Sequence, residues 1–175
     1  IAYMSKYLDL SSEKRLVYVE IGVTGRLNFS DPRWVLNSYP IDDKAFNVFI
    51  VDHNTSVLLS CAQRPGVSFI FYPGLAGEDD DLPYNNDPNP FQINDRFDFH
   101  AWLKETVEYA DFVVLKIKAG EAEVKLLPKL FETGTMCFVD EIFLECSDDG
   151  NGRGDCGDIL RSLRSSGVYA HRWWS

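Results

Sequence analysis

Glu20 and Asp52 are the residues of this chain whose type and placement best suit chemistry. Glu20 opens the turn Glu20-Ile21-Gly22-Val23-Thr24-Gly25, and Asp52 closes the apolar run Phe46 to Val51. An ionised carboxylate only accepts hydrogen bonds, and its two oxygens can be shared by the adjacent O–H donors of a sugar diol. An acid on a strand-to-turn glycine segment, a crossover helix, and a second acid at the tip of the next strand together hold a nucleoside at the carboxyl ends of open α/β sheets.

The surrounding sequence predicts the elements that would position these groups. Leu16, Val17, Tyr18, Val19 and Ile21 form a short apolar run that stops in glycines, as a buried parallel strand does. Asp31 before Pro32 supplies an N-cap oxygen and a fixed φ for a helix carrying Trp34, Val35 and Leu36. Asn54 to Ala62 places Val57, Leu58 and Cys61 on one helical face, and Val67 to Phe71 is a third strand between Pro65-Gly66 and Pro73-Gly74. Ile1 to Glu13 reads as a lead-in with helical character from Met4 to Leu10, packed on the sheet edge. Strands alternating with helices imply a parallel sheet with right-handed crossovers.

Residues 74–95 hold the acid run Glu78-Asp79-Asp80-Asp81 and a Pro/Asn-rich piece without periodicity, so a surface excursion is expected there. Asp98 then caps a helix with Phe99, Trp102, Leu103 and Val107 inward. Phe112 to Ile117 is a fourth strand. The next helix turns Val124, Leu127, Leu130 and Phe131 inward, bends at Pro128 and stops at Gly134. Met136 to Leu144 is a fifth strand interrupted by Asp140 and Glu141. A polar loop spans 147–157, a helix with Ile159, Leu160 and Leu163 ends at Gly167, and Val168 to Trp173 is the last strand.

With 175 residues, 45% of them hydrophobic, the chain suits one core, and a single domain over 1–175 is expected. A net charge of −10 disfavours a phosphate-backbone partner, so nucleic acid is excluded. No apolar run reaches the roughly 20 residues that cross a bilayer. Cys61, Cys137, Cys146 and Cys156 lack zinc-ligand spacing; Cys61 and Cys137 read as buried thiols. Cys146 and Cys156 bracket the polar loop, as free thiols or, in an oxidising compartment, as a disulfide. Asn28-Phe29-Ser30 and Asn54-Thr55-Ser56 are glycan sequons in form.

Other candidates read as structural. The acid run lacks convergent ligands, and Asp148, Asp149, Asn151 and Asp155 lack the closing glutamate of a calcium loop. Arg153-Gly154-Asp155 is a short string that recurs by chance. Trp173 and Trp174 read as core. His53, His100 and His171 are the histidines available as bases, each with a surface or packing reading ahead of a catalytic one. Lys116, inside an apolar strand, is expected to form a structural ion pair with Asp140 or Glu141, because an unpaired buried carboxylate is costly, with an acceptor-binding site as the second reading of the three.

The chain also carries a resemblance. Val17 to Gly22, Phe46 to Asp52, Phe97 to Lys104, Asp111 to Lys116, Leu127 to Gly134, Val139 to Cys146 and Leu160 to Trp174 together resemble a plant family of methyltransferase-like proteins, itself similar to FkbM-type AdoMet-dependent methyltransferases. The resemblance covers nearly the whole chain, and its C-terminal third is the specific part. It implies a three-layer Rossmann-like α/β sheet of the class I methyltransferase type, mostly parallel with an antiparallel edge.

The same resemblance implies AdoMet lying over the glycine turn. Glu20 and Gly22 would flank its methionine moiety, Val23 would be among the cofactor-binding residues, and Gly25 would allow close backbone approach. Asp52 would take the ribose hydroxyls, and Pro73 to Ala76 would line the adenine. The acceptor would be a carbohydrate or small-molecule oxygen, and the setting a secretory or Golgi lumen. Lys118-Ala119-Gly120-Glu121 departs from the family pattern, with a lysine where an acid facing the sulfonium is expected. A domain that has lost donor binding and acts as a binding or regulatory module for a protein partner is the alternative.

Overall fold

The computed structural model describes residues 4, 9–13, 15–22, 36, 37, 39, 42, 45–57, 65–76, 97–118, 120–146 and 156–173. Six strands form one sheet: β1 Leu16–Ile21, β2 Phe46–Asp52, β3 Val67–Phe71, β4 Phe112–Lys118, β5 Glu141–Glu145 and β6 Tyr169–Trp173. Their order is β3-β2-β1-β4-β5-β6, and every neighbouring pair is parallel. The central strands β1 and β4 are buried on both faces, in keeping with their mostly apolar runs, which only Glu20, Lys116 and Lys118 interrupt with charge.

Three longer helices are α1 Phe99–Val107, α2 Glu121–Glu132 and α3 Cys156–Ser165. Leu103 and Val107 of α1, Leu127 and Leu130 of α2, and Leu160 and Leu163 of α3 pack with Val17, Val19, Val113, Leu115, Ile142 and Leu144 on one sheet face. Leu10, Leu36, Tyr39 and Val57 pack with Tyr18, Ile50, Val114 and Phe143 on the other. The change of face follows from handedness. Connections stepping from β1 to β3 run one way along the sheet and those from β3 to β6 the other, so right-handed crossovers put them on opposite faces.

Local signals explain the element ends. Asp98 Oδ1 accepts from the Ala101 N–H at 3.0 Å, capping α1 for about 1 kcal/mol. Gly22 leaves β1 at φ 73°, a left-handed conformation that a residue with a Cβ rarely takes. Tyr72 is buried, stacks on Phe99 with ring centroids 4.4 Å apart, and lies over Gly74, where a Cβ would fall 2.5 Å from its ring.

Four expectations are corrected. The expected antiparallel edge is absent among the described residues: α3 carries the chain back along the sheet, so β6 starts beside the start of β5 and runs parallel to it. Residues 135–138 form a 3-10 turn and β5 begins at Glu141, so the two acids precede and open the strand instead of interrupting it. In α2, Leu126 turns inward while Phe131 is exposed. Cys137, expected in the core, is exposed.

Candidate functional site

Successive strand residues point to opposite faces, so the register decides which side chains can meet. Glu20 is in register with Ile50 on β2 and with Lys116 on β4. Asp52 lies two residues beyond Ile50 and therefore shares the face of Glu20, one strand away. Lys118 and Glu145, themselves in register, extend the same face across β4 and β5. Tyr18, Glu20, Asp52, Lys116, Lys118, Glu141, Glu145 and His171 thus all belong to one side of the sheet, and the side under α1 to α3 is mainly apolar, with Asn47, Ser68 and Arg172 as its polar strand residues.

Asp52 forms the tip of β2 and is 2% exposed. Its carbonyl accepts from the Tyr72 N–H at 3.0 Å, which ties the tip to the end of β3. Its Oδ1 accepts from the Asn54 N–H at 2.7 Å and lies 3.6 Å from Nδ1 of the exposed His53. Next to it, the Gly22 N–H donates to the Val51 carbonyl at 3.0 Å, so the two strand tips carrying the predicted acids are joined.

The strand order reverses between β1 and β4, and in open sheets of this kind ligands bind outside the carboxyl ends at that point. A buried ionic cluster sits there. Lys116 Nζ is 2.8 Å from Glu20 Oε1 and 3.0 Å from Glu145 Oε2, and the Tyr18 hydroxyl donates to Glu20 Oε2 at 3.0 Å. Burial disfavours the charge on Lys116, but Glu20 and Glu145 outweigh it and hold its pKa above the ordinary value. Burial first, and then the charge of Glu20, raise Tyr18 well above the usual phenol range, so it serves as a neutral donor. Two carboxylates against one ammonium leave a formal charge of −1.

A second polar group lies toward the amino end of β5. Glu141, fully buried, takes His171 Nε2 at 2.6 Å and the Met4 N–H at 3.1 Å on Oε1, and the Tyr39 hydroxyl at 2.6 Å on Oε2. His171 stacks on Phe143 at 5.1 Å. Asp140 Oδ2 accepts from the Val113 N–H at 2.7 Å and so caps the start of β4. The expected pairing of Lys116 with Asp140 or Glu141 is therefore replaced. Register sets Lys116 opposite Phe143, and its ammonium meets Glu145, two residues further along, instead of Glu141.

Of the residues expected to hold a cofactor, Glu20, Gly22, Asp52 and Lys118 come together along the β2, β1 and β4 tips. Ala76, exposed, closes a 3-10 turn just after β3 whose Leu75 is buried in the core. Val23 and Gly25 lie outside the described residues, as do the acid run, the Arg-Gly-Asp string, Cys61 and Trp174. Lys118 makes no ion pair among the described residues, and the lysine that meets the acids is Lys116. Tyr18 and Glu145 were not singled out from sequence. The two-residue spacing of Tyr18 and Glu20 signals a shared face, but Glu145 could be found only once β5 was known to flank β4.

Residues 82–174 match the model of a family described as a domain of unknown function (DUF7870). The match takes in α1 through β6, with Lys116, Lys118, Glu141, Glu145 and His171, while Glu20 and Asp52 precede it. No curated protein and no solved structure matches the chain.

Proposed function

The chain belongs to the DUF7870 family of domains of unknown function, and from its strand-tip geometry we propose that it is a methyltransferase-like domain that binds AdoMet at the carboxyl ends of β1, β2 and β4. The observation that carries this reading is the position of Asp52: a buried carboxylate at the tip of β2, on the face of Glu20 and one strand away from the reversal of strand order between β1 and β4.

The residues present suit the ligand in part. Asp52 is an acceptor for a ribose diol, Gly22 ends β1 in a left-handed conformation without a Cβ, and Pro73 to Ala76 follow β3 on the far side of Asp52. The formal −1 of the Glu20, Lys116 and Glu145 cluster favours a cation above it, as the sulfonium is. Glu20 suits direct contact with the methionine moiety less well, because each of its oxygens already holds a donor. Bound AdoMet supplies an electrophilic methyl group, for which a carbohydrate or small-molecule oxygen is the acceptor. The chain's part is to hold the donor and exclude water from it.

Calorimetric titration with AdoMet and with its demethylated product tests the proposal. Both should release or absorb heat with a saturable isotherm, and silence with both ligands overturns donor binding. The engagement of Glu20 by Lys116 and Tyr18 favours a second reading, a pseudo-methyltransferase that keeps the fold and serves as a binding or regulatory module. Binding without any transfer from labelled AdoMet across a panel of sugar and small-molecule oxygens would select it.

A further inference from the structure

We propose that Asn54 is an N-linked glycosylation site, so that the chain matures in an oxidising compartment where lipid-linked oligosaccharides are transferred. Asn54-Thr55-Ser56 has the required Asn-X-Ser form with X other than proline. Residues 53–56 are all exposed, immediately after the buried tip of β2. The Asn54 carboxamide uses its oxygen alone: Oδ1 accepts from the Ser56 N–H at 3.0 Å and from the Ser56 hydroxyl at 2.5 Å. Nδ2, the atom that is modified, takes part in no hydrogen bond among the described residues.

The chemistry leaves this turn intact. Nδ2 attacks the anomeric carbon of an oligosaccharide carried on a lipid diphosphate. The N–C bond forms, the C–O bond to the diphosphate breaks, the diphosphate departs with the electron pair, and Nδ2 gives up one proton. Oδ1 keeps its lone pairs and still accepts from Ser56. An independent observation places the chain in such a compartment. Cys146 and Cys156 are joined in a disulfide, with Cα atoms 6.2 Å apart, closing the polar loop after β5. Bonds of this kind persist in secretory compartments and are rare in reducing ones. The inference does not depend on AdoMet binding, and a glycan at Asn54 would stand whichever reading of the site holds.

The test is peptide mapping of the protein purified from its native source, treated with peptide N-glycosidase in heavy-oxygen water. The peptide carrying position 54 should show aspartate with one heavy oxygen, and a Cys146–Cys156 linked peptide should appear without reductant. Unconverted asparagine at 54, or both cysteines recovered as thiols, overturns the proposal. Variants of the full chain sent through a eukaryotic secretory pathway supply a second test. Asn54→Asp keeps a side-chain acceptor for Ser56 and should lose one glycosidase-sensitive mass step, whereas Ser56→Thr should keep it. A step retained in Asn54→Asp belongs to another residue and overturns the assignment.

Discussion

Lys116 Nζ lies 2.8 Å from Glu20 Oε1 across the β1 and β4 register, at the place where the strand order reverses. The ammonium is shared with Glu145, and all three side chains are more than nine-tenths buried. Removing one partner of such a group leaves charge in a low-dielectric site, which costs about 3–5 kcal/mol even where replacing the whole group by apolar residues is neutral. Lys116→Met should therefore destabilise the fold by about that amount in denaturant unfolding. Glu20→Gln combined with it should cost less than the sum of the two single variants, because the second change relieves the charge left by the first.

The same cluster sets an alkaline limit. The folded pKa of Lys116 stands above the unfolded value of 10.5, so its contribution to stability is complete below that pH and is lost as pH rises through the folded value. Unfolding free energy of the native chain should fall on that side, and the fall should be shallower in Lys116→Met. Equal slopes in the two proteins would show that the lysine is not the titrating group.

How much of this was legible in the sequence follows from whether a signal is local. The Asp98 cap and the face of α1 were, because an N-cap oxygen and the Phe99, Leu103, Val107 spacing act within two turns. So were the strands other than β5, whose start is at Glu141 and not Met136, and the acids at the tips of β1 and β2. The partner of Lys116 was not, since it depends on β5 lying beside β4 and on a register set by distant packing. The direction of β6 also depended on the path of α3, which the strand's own residues do not encode. The spacing of Phe131 from Leu127 suits an inward ring, yet the buried face of α2 is Leu126, Leu127 and Leu130, and Phe131 is exposed.

Asp140 offers a test of opposite charge. Burial raises its pKa above 3.8, Glu13 and Glu141 add to the effect, and the Val113 N–H opposes it. A carboxyl group raised in the folded state contributes stability below its unfolded pKa that is lost as pH rises through the folded value. At neutral pH the ionised form is thus a cost, and Asp140→Asn keeps an acceptor for Val113. The variant should unfold at a higher temperature than the native chain at neutral pH, with the gap narrowing as pH falls toward 4. A gap that widens on acidification would contradict this assignment.

The disulfide between Cys146 and Cys156 closes a loop of sequence separation 10, next to Glu145 and the start of α3. Cross-linking a loop of that size restrains the unfolded chain by about 2–3 kcal/mol. Cys156→Ser should lower the denaturant midpoint accordingly, and added reductant should lower the native protein to nearly the same midpoint while leaving the variant unchanged. A native protein indifferent to reductant would exclude the bond from the folded state in solution.

The proposed donor binding is tested at Asp52 and Lys118. A hydrogen bond to a charged acceptor contributes about 1.5–3 kcal/mol, so Asp52→Asn should weaken AdoMet about tenfold or more, and should do the same to the demethylated product, since both carry the ribose. Lys118 stands at the tip of β4 on the face of the cluster and makes no ion pair among the described residues. In the proposed binding mode its positive charge would oppose the sulfonium. Lys118→Asp should therefore tighten AdoMet, which is cationic at sulfur, more than the neutral thioether product. Calorimetry on both ligands separates the two effects: loss at Asp52 common to both, gain at Lys118 confined to the sulfonium. If Lys118→Asp shifts the two ligands equally, the lysine does not face the methyl-bearing end, and the orientation proposed for the donor across β1 and β4 is wrong.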